Sequence, residues 1–375
     1  MINVAILSGP YKEHLSAKDV GDSIEKGLKK SIPDIRVFNF WMADGGKDTA
    51  KRLSYAFDAK PFSIRVTGPN YKKVYATIYL NKHNKIALFD VAEATGIHLL
   101  KECEKNPLTT TSKGVGEILL YLRKNRFKKI MIGLGDTAIN DGGLGILQVL
   151  GWKFFDKDGK IFPEDRFDIR RIRTYLVGLS KFAEVICLSD GTTSLCGRNG
   201  ISLMSASKKG ASSKDVAKLE EQMKHLNSIF KKMCGLDFNN ILSSGSAGGI
   251  GAALKVLFNA KYVNGAEYIL DKFPIKNISH FDLAITSEGE INYQTLGGKV
   301  PFIVANKFNK YKIPTIVFVG SRGKGFSKIF KFGVKSIIET DRGKFSFSEI
   351  KKKKYGKKFI YEKARELGKL LLKNE

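Results

Sequence analysis

Phe281-Asp-Leu-Ala-Ile285, followed by Thr286-Ser-Glu-Gly-Glu-Ile-Asn-Tyr-Gln-Thr-Leu-Gly-Gly-Lys-Val-Pro301, is the most informative stretch of this sequence. The first run predicts a buried strand, residues 286–301 a loop, and the run from Phe302 to Phe308 a helix. In an open α/β sheet, ligands bind at the carboxyl ends of the strands. The stretch therefore predicts an α/β fold with a ligand-binding loop, although a polar turn with a solvated lysine would have a similar composition.

The side chains of this loop suit a phosphate or a carboxylate ligand. They are a carboxylate, two amides, a hydroxyl and an amine: Glu288, Asn292, Gln294, Thr295 and Lys299. Two further glycine-rich stretches, 133–143 and 245–251, also precede predicted helices. Helix N-termini bind anions through unpaired N–H groups, and none of the three stretches is a GxxxxGK[ST] loop. Singly each could be a tight turn, but together they predict a phosphate-handling site.

Length and composition favour a two-domain, folded, soluble protein. The chain has 375 residues, more than one typical hydrophobic core contains. Its content of 43% hydrophobic and 27% charged residues is typical of a folded, soluble protein. Its apolar runs, such as Ile313 to Val319, are too short to cross a bilayer, and residues 1–8 resemble a first strand more than a signal peptide. The four cysteines form no CxxC pair, which predicts free thiols in a reducing cytoplasm.

The net charge of +27 raises nucleic-acid binding as a function. Of the 64 basic residues, however, 13 are Arg and 51 are Lys, and the lysines are spread along the chain. Base-reading sites favour Arg, whose fork pairs bidentately with guanine. A lysine-rich surface is the preferred interpretation and nucleic-acid binding is not expected, while a positive field would attract anionic substrates.

The order of the predicted elements indicates an insertion. The chain opens with a strand (Val4 to Leu7), a helix that buries Val20, Ile24 and Leu28, and a second strand, as a parallel sheet requires. From Pro61 the pattern becomes an antiparallel meander, and the closing third alternates strand and helix again. The fold class predicted is α/β with two domains, one interrupted by the other.

Acidic residues stand at the ends of predicted strands: Asp44, Asp136, Asp141, Asp190 and Glu288. In a phosphoryl-transfer site, carboxylates hold Mg²⁺ or accept the proton of the attacking hydroxyl. Any one of them could instead cap a helix, and for Asp141 the two roles are equally well supported. Lys12 and Lys299 stand in loops where an amine could neutralise phosphate or carboxylate charge.

In this order the motifs resemble the glycerate kinase family in its bacterial type, over nearly the whole chain. The motifs are Met42-Ala-Asp-Gly-Gly46, Ala92-Glu-Ala-Thr-Gly-Ile-His-Leu-Leu100, Asn106-Pro-Leu with Thr110-Thr-Ser-Lys-Gly-Val-Gly-Glu117, Asn140-Asp-Gly-Gly-Leu-Gly145, Leu195-Cys-Gly197, Gly245-Ser-Ala-Gly-Gly-Ile-Gly251, and Glu288-Gly289, Gln294-Thr295 and Gly298-Lys-Val-Pro301. The resemblance implies a flavodoxin-like (Rossmann-like) parallel-sheet domain, residues 1–60 plus 285–375, and an inserted mixed α/β domain, residues 61–284.

The resemblance also implies a function and a site. It implies ATP-dependent phosphorylation of a hydroxyl of D-glycerate or a related hydroxy acid with Mg²⁺, usually giving 2-phosphoglycerate, in a cytoplasmic enzyme. Asp190 would be the base and Lys12 a second catalytic residue. The substrate and nucleotide would be bound, in a cleft between the domains, by Asp44, Asn140, Asp141, Ser246, Glu288, Gln294, Thr295 and Lys299. The metal ligands and the oligomeric state stay open, a homodimer being one option.

Several loops depart from the family pattern. Gly9-Pro-Tyr-Lys-Glu-His14 replaces a run of Asp-Ser-Phe-Lys-Gly-Ser, and Glu290 and Asn292 replace an Arg and an Asp. With Glu290 in place of the Arg, a negative charge replaces a positive charge that would face an anion. Two hypotheses follow: an active kinase with an altered substrate preference, or a catalytically inactive relative with a binding or regulatory role.

Overall fold

The computed structural model describes residues 1–11, 15–162, 168–191, 193–272, 277–340 and 353–373. The chain divides into two compact units. The first unit contains Met1–Asp44 and Ala266–Glu375, and the second contains Gly45–Gly265. The first unit is therefore discontinuous in sequence, with the second inserted into it.

The first unit is built on a five-stranded parallel sheet in the order β2-β1-β11-β12-β13. Its strands are β1 (Asn3–Ser8), β2 (Arg36–Asn39), β11 (Leu283–Ile291), β12 (Thr315–Arg322) and β13 (Val334–Glu339). Renumbered within the unit, the order is 2-1-3-4-5, which is that of flavodoxin. The chain reverses its direction of winding between β1 and β11, and this switch point is where such sheets bind ligands.

Helices cover both faces of this sheet. They are α1 (Ala17–Ser31), α9 (Gly265–Lys272), α10 (Val300–Asn309) and α11 (Lys353–Lys373), with 3₁₀ helices at Ile278–His280, Tyr293–Gly297 and Phe326–Phe332. Alternate residues of β12 enter different cores: Ile316 and Phe318 pack with α1 and α11, whereas Val317 and Val319 pack with α10. Because side chains alternate across a strand, this confirms the α/β class with buried parallel strands.

Helix α1 shows why the spacing of apolar residues predicted a helix. Val20, Ile24 and Leu28 recur every four residues and are fully buried, so one stripe of the helix faces the sheet. Ser16 caps the helix by accepting a hydrogen bond from Asp19 N at 3.1 Å, and Ile32 ends it. The prediction for these three residues is confirmed.

The second unit contains a six-stranded mixed sheet in the order β10-β9-β6-β5-β4-β3. Its strands are β3 (Lys60–Thr67), β4 (Lys73–Asn81), β5 (Ile86–Asp90), β6 (Lys129–Gly133), β9 (Glu184–Ser189) and β10 (Lys261–Asn264). The strands β3, β4 and β5 form the antiparallel meander that the sequence predicts, and β5, β6, β9 and β10 are parallel. A small two-stranded antiparallel sheet pairs β7 (Lys153–Phe155) with β8 (Thr174–Leu176).

One core holds the second unit together. Its helices are α2 (Thr49–Ala56), α3 (Ala92–Thr95), α4 (Lys113–Lys124), α5 (Leu144–Val149), α6 (Ile201–Ser205), α7 (Ser213–Cys234) and α8 (Ile250–Phe258), with 3₁₀ helices at Ile97–Leu99, Glu102–Glu104, Ile169–Arg171, Ser207–Lys209 and Ser246–Gly249. The parallel strands β5, β6 and β9 end at Asp90, Gly133 and Ser189, and Asp190 directly follows β9.

Both unit boundaries lie earlier in the chain than the expected 60/61 and 284/285. Helix α2 belongs to the second unit because Asp90 Oδ1, at the end of β5, accepts a hydrogen bond from Ala50 N at 2.9 Å. Asn81 Nδ2 likewise donates to Phe57 O, just past α2, at 2.9 Å. The pattern of a βαβα unit cannot show to which sheet the second helix attaches.

The expected loop from Thr286 to Pro301 is wrong in its first part, because β11 continues to Ile291. Thr286 and Ser287 are fully buried although polar. Thr286 Oγ1 donates to Leu7 O and Ser287 Oγ donates to Gly9 O, both at 2.8 Å. Backbone acceptors beside β11 thus satisfy the hydroxyls, and Glu288 lies on the strand.

Candidate active site

In the first unit, a carboxylate, a hydroxyl and an ammonium meet at the switch point. Glu288 follows Ser287, whose partner across the sheet is Ser8, the last residue of β1. Lys299 precedes α10 as its N-cap residue, and Thr295 lies in the 3₁₀ helix between β11 and α10. We call Glu288, Thr295 and Lys299 the switch-point cluster.

The switch-point cluster is bonded through both oxygens of Glu288. Oε1 accepts from Lys299 Nζ and Oε2 from Thr295 Oγ1, each at 2.8 Å. The Glu288 side chain is 14% exposed and that of Lys299 is 21% exposed. Burial raises the pKa of Glu288 and the charge of Asp44 adds to the rise, whereas Lys299 and Thr295 oppose it. The cluster is thus a half-buried ion pair with a second carboxylate near it.

The two residues that depart from the family pattern bond to each other. Asn292 Nδ2 donates to Glu290 Oε1 at 2.6 Å. Asn292 also accepts from Gln294 N at 2.9 Å, and its own N–H donates to Thr295 Oγ1 at 3.1 Å. Glu290 and Gln294 are exposed. Of the retained residues, Glu288, Thr295 and Lys299 therefore lie inward, whereas Gln294 is exposed. Of the altered pair, Glu290 is exposed and Asn292 is half-buried.

The other first-unit candidates are Asp44 and Lys12. Asp44 is the last residue of the first segment of this unit, and its charge reaches Glu288. Lys12 lies outside the described residues. The charge of Asp44 thus acts on Glu288 although β1 lies between β2, the strand before Asp44, and β11.

In the second unit, Asp141 is bonded mainly to backbone. Its Oδ2 accepts from Ser112 N and Ser112 Oγ, both at 2.7 Å, and from Gly145 N at 3.3 Å. Its Oδ1 accepts from Gly143 N at 3.0 Å. Burial raises the pKa of Asp141, and these hydrogen bonds oppose the rise. The carboxylate ties the start of α4 to the start of α5, which is the capping role that the sequence left open; a direct contact with substrate stays a prediction.

Asn140 is held from one segment, residues 201–210. Its Nδ2 donates to Ser202 Oγ at 3.0 Å, and its Oδ1 is buried without a hydrogen-bond partner among the described residues. Lys209, from the same segment, donates from Nζ to Ile139 O at 2.7 Å. Sequence analysis missed Lys209, because one lysine among 51 carries no signal of burial.

Asp190 and Ser246 lie on neighbouring loops of the second unit. Asp190 directly follows β9, and Ser189 Oγ donates to Ser243 Oγ at 2.8 Å. Gly245 N donates to Thr193 O at 3.3 Å, and a Cβ on Gly245 would meet Ser194 O at 2.0 Å, so this contact requires glycine. The Ser246 loop also contacts the Asn140 loop through Gly142 N and Gly248 O, 2.9 Å apart. Three expected site loops of this unit are therefore packed together.

The site candidates form two groups, one in each unit. The first unit holds Asp44, Glu288, Gln294, Thr295 and Lys299, and the second holds Asn140, Asp141, Asp190 and Ser246. Over the described ranges, no three His, Cys, Asp or Glu residues are grouped so as to bind a metal ion. In the part of the chain that the structure describes, no helix is both long and apolar enough for a membrane span.

The fold and these clusters define a two-unit α/β protein with polar clusters near the ends of parallel strands. Comparison with known proteins identifies the family. The model of the glycerate kinase family matches residues 4–372. The chain belongs to the glycerate kinase family, and is by class a phosphotransferase with an alcohol group as acceptor.

Individual relatives agree with this assignment. The chain is 32% identical to Glycerate 2-kinase of Escherichia coli K12 over 342 residues, which are 90% of each protein. It is 32% identical to Glycerate kinase of Bacillus cereus, again over 90% of both. The crystal structure of a candidate glycerate kinase 2 from Salmonella typhimurium LT2 matches with a TM-score of 0.78 and 28% identity, covering 100% of this chain and 99% of that one.

Proposed function

We propose that this chain is an active kinase that transfers the γ-phosphoryl group of ATP to a hydroxyl of D-glycerate, giving 2-phosphoglycerate. Family membership and the relative named Glycerate 2-kinase support the reaction. The observation that carries the proposal is the intact switch-point cluster, in which Glu288 bonds Lys299 and Thr295. These bonds are present although Glu290 and Asn292, which depart from the family pattern, lie in the same stretch.

The proposed chemistry uses one proton acceptor. The substrate hydroxyl oxygen forms a bond to the γ-phosphorus while the bond from that phosphorus to the β–γ bridging oxygen breaks. Asp190, at the end of β9, takes the hydroxyl proton, and ADP leaves. Such a base contributes about 10²–10⁴-fold to a rate. Lys299 supplies positive charge, because an ammonium paired with one carboxylate can also stabilise an incoming phosphate.

ATP-bound Mg²⁺ fits the described residues. Such an ion usually takes one or two protein carboxylates, and phosphates and waters complete its shell, so no three-residue cluster is needed. Asp44 and Glu288 are close enough for the charge of Asp44 to raise the pKa of Glu288, and a divalent cation would relieve that repulsion. We propose that Asp44 and Glu288 would hold Mg²⁺, which would neutralise phosphate charge.

The test is an ADP-release assay on the full-length protein with D-glycerate, L-glycerate and other small hydroxy acids. Coupling to enolase, which consumes 2-phosphoglycerate and not 3-phosphoglycerate, identifies the hydroxyl that is phosphorylated. We expect D-glycerate to be the best acceptor and the enolase signal to follow ADP release. Turnover on another hydroxy acid alone would correct the substrate, and an enolase-silent product would correct the position.

A variant separates turnover from binding. Asp190→Asn should lose about 10²–10⁴-fold in kcat while calorimetry shows ATP binding unchanged, and Asp158→Asn, an exposed residue of the same unit, serves as the matched control. If the wild-type protein binds ATP but turns over no acid, the inactive, ligand-binding alternative is correct. If it binds neither nucleotide nor acid, both proposals fail.

Compartment and assembly are further proposals. All four cysteines are free thiols, with Cys103 and Cys234 exposed, which supports a reducing, cytoplasmic location. A homodimer stays a prediction that sedimentation at several protein concentrations would test. Salt-dependent gel shifts would test the expectation that the positive charge does not bind nucleic acid.

A further inference from the structure

Lys209 is a buried ammonium in the second unit. It ends the 3₁₀ helix Ser207–Lys209 and is 6% exposed. Its neighbour Lys208 is exposed. The chain turns at Gly210, which has a φ of +96° and lies close to Lys105 O. A lysine side chain normally keeps its charged end in water. Lys209 instead buries it, so the side chain needs partners inside the protein.

The partners of Lys209 belong to the Asn140 loop. Nζ donates to Ile139 O at 2.7 Å, and over the described ranges no second acceptor lies within hydrogen-bond distance, although an ammonium has three donors. Burial lowers the pKa of Lys209 to about 8, and the charge of Asp141 opposes this. Over the described ranges no hydrogen bond joins Asp141 to Lys209; the Asp141 oxygens accept from Ser112, Gly143 and Gly145.

The segment 201–210 therefore holds the Asn140 residue at two points, its peptide group and its side chain. Ile139 O is part of the peptide group whose nitrogen is Asn140 N, so Lys209 fixes the plane of that peptide. Ser202 Oγ, from α6 in the same segment, accepts from Asn140 Nδ2 at 3.0 Å. Asn140 is 1% exposed and its Oδ1 has no partner among the described residues. Backbone and side chain are both oriented, while one polar atom is kept unpaired.

Packing alone does not explain a lysine at this position. Removing an ammonium from water is costly unless it is paired, and methionine would fill the same space without that cost. A charge-assisted hydrogen bond to a carbonyl is stronger than a neutral one. It restrains a loop that also contacts the Ser246 loop through Gly142 N and Gly248 O. Such restraint is what a site needs, since misplacement by about 1 Å can cost 10²-fold in rate.

We propose that Lys209 is a positioning residue for phosphoryl transfer, acting through the Ile139–Asn140 peptide to hold Asn140 in its working orientation. This inference rests on the proposed kinase function and adds a residue to it. Lys209 itself does not contact substrate in this scheme.

The experiment compares Lys209→Met with the matched control Lys208→Met in the full chain. We expect Lys209→Met to lower kcat/KM for glycerate about 10²-fold and to leave the melting temperature close to that of the control. Lys208→Met should stay near the wild-type rate. Equal rates for the two variants would overturn the proposal.

A double-mutant cycle with Asn140→Ala tests whether Lys209 acts through Asn140. If it does, Lys209→Met combined with Asn140→Ala is no slower than Asn140→Ala alone, since coupled residues are not additive. Multiplied losses would mean that Lys209 has a general structural role. Should Lys209→Met fail to fold, Lys209→Gln, which removes the charge but keeps a donor, replaces it in the same cycle.

A second measurement separates this inference from the proposed function. Hydrogen exchange of the amides in residues 139–143 should be faster in Lys209→Met than in Lys208→Met, without any substrate present. If the wild-type protein phosphorylates none of the acids but exchange responds as described, the proposed function fails while the link from Lys209 to the loop stands. Unchanged exchange would refute that link even in an active enzyme.

Discussion

Asp141 in the second unit and Glu288 in the first look alike in sequence but are held differently. Both are carboxylates near a strand end and before a helix, and burial raises the pKa of both. Asp141 accepts from the backbone of Ser112, Gly143 and Gly145. Glu288 accepts from the side chains of Thr295 and Lys299.

The difference between backbone and side-chain donors separates structure from chemistry. Backbone N–H groups at two helix starts cannot leave Asp141 unless α4 and α5 move, so that carboxylate is committed to the fold. Lys299 is a flexible side chain, 21% exposed, and can shift toward a ligand while its backbone stays in place. We therefore expect substitutions of Asp141 to act on stability and those of the switch-point cluster to act on catalysis.

The largest effect is expected for Asp141→Ala. Three backbone N–H groups and the Ser112 hydroxyl would lose their acceptor, and each unpaired buried group costs about 1–3 kcal/mol. Some of these groups will find water, so we expect a loss of about 4 kcal/mol in the free energy of unfolding. Urea denaturation measures it, with Asp158→Ala, an exposed carboxylate of the same unit, as the control within about 0.5 kcal/mol.

The opposite result would break the comparison. If Asp141→Ala kept its stability and lost turnover, Asp141 would be a substrate ligand despite its backbone partners. Asp141→Asn refines the test, because it keeps one acceptor oxygen and should recover part of the lost stability.

The next largest effect is expected for Lys299→Met. Glu288 would keep Thr295 but lose its cation, and we expect about 2 kcal/mol less stability, since a half-buried pair is worth less than the 3–5 kcal/mol of a fully buried one. We expect kcat/KM to fall about 10²-fold, in line with losing one oriented donor at a site of charge development. Lys310→Met, at an exposed position after α10, is the matched control.

A rescue experiment separates the loss of stability in Lys299→Met from its loss of kcat/KM. Combining Lys299→Met with Glu288→Gln removes the unpaired charge and should restore most of the stability, whereas turnover should stay low. Recovery of turnover together with stability would show that the switch-point cluster only supports the fold.

The fold was largely predictable because burial repeats with the period of the element. Val20, Ile24 and Leu28 show it for α1, and the strand order confirms the flavodoxin-like sheet. The end of β11 was not predictable. Thr286 and Ser287 are polar in sequence, and their burial depends on carbonyls of Leu7 and Gly9, which lie almost the whole chain away.

The site was predictable only in part, for the same reason. Strand-end residues such as Asp190 and Glu288 could be found because parallel strands bring their carboxyl ends to one edge. The two partners that fix Asn140 could not be found. Lys209 and Ser202 lie more than 60 residues further along the chain, in a polar segment whose burial only the tertiary structure shows.

The effect of pH on the stability of Glu288→Gln relative to wild type is expected to be smaller than the effects above. It reports the direction in which the pKa of Glu288 is shifted. Burial raises the pKa of Glu288 above its usual 4.5, so its contribution to stability is fully present below pH 4.5 and is lost as pH rises through the folded-state pKa. The amide that replaces the carboxyl group in this variant does not titrate. The stability of the variant relative to wild type should therefore increase as pH rises above 4.5, as measured by urea denaturation across pH 4 to 8. A relative decrease would mean that Lys299 holds the pKa of Glu288 below its usual value.

The smallest effect is expected for Asn292→Ala, which removes the surface pair Glu290–Asn292. Gln294 N would lose its acceptor, and an exposed cap of this kind is worth about 0.5–1 kcal/mol. Because the pair lies at the surface and the switch-point cluster does not depend on the Asn292 side chain, kcat/KM for glycerate should change less than about threefold, within the range of surface substitutions.

Asn292→Asp keeps the acceptor for Gln294 N but places a second negative charge beside Glu290, which makes it the informative partner variant. If either substitution changed kcat/KM tenfold or altered the ranking of hydroxy acids, the altered surface pair would contact substrate, and the division between an inner catalytic cluster and an outer structural pair would be wrong.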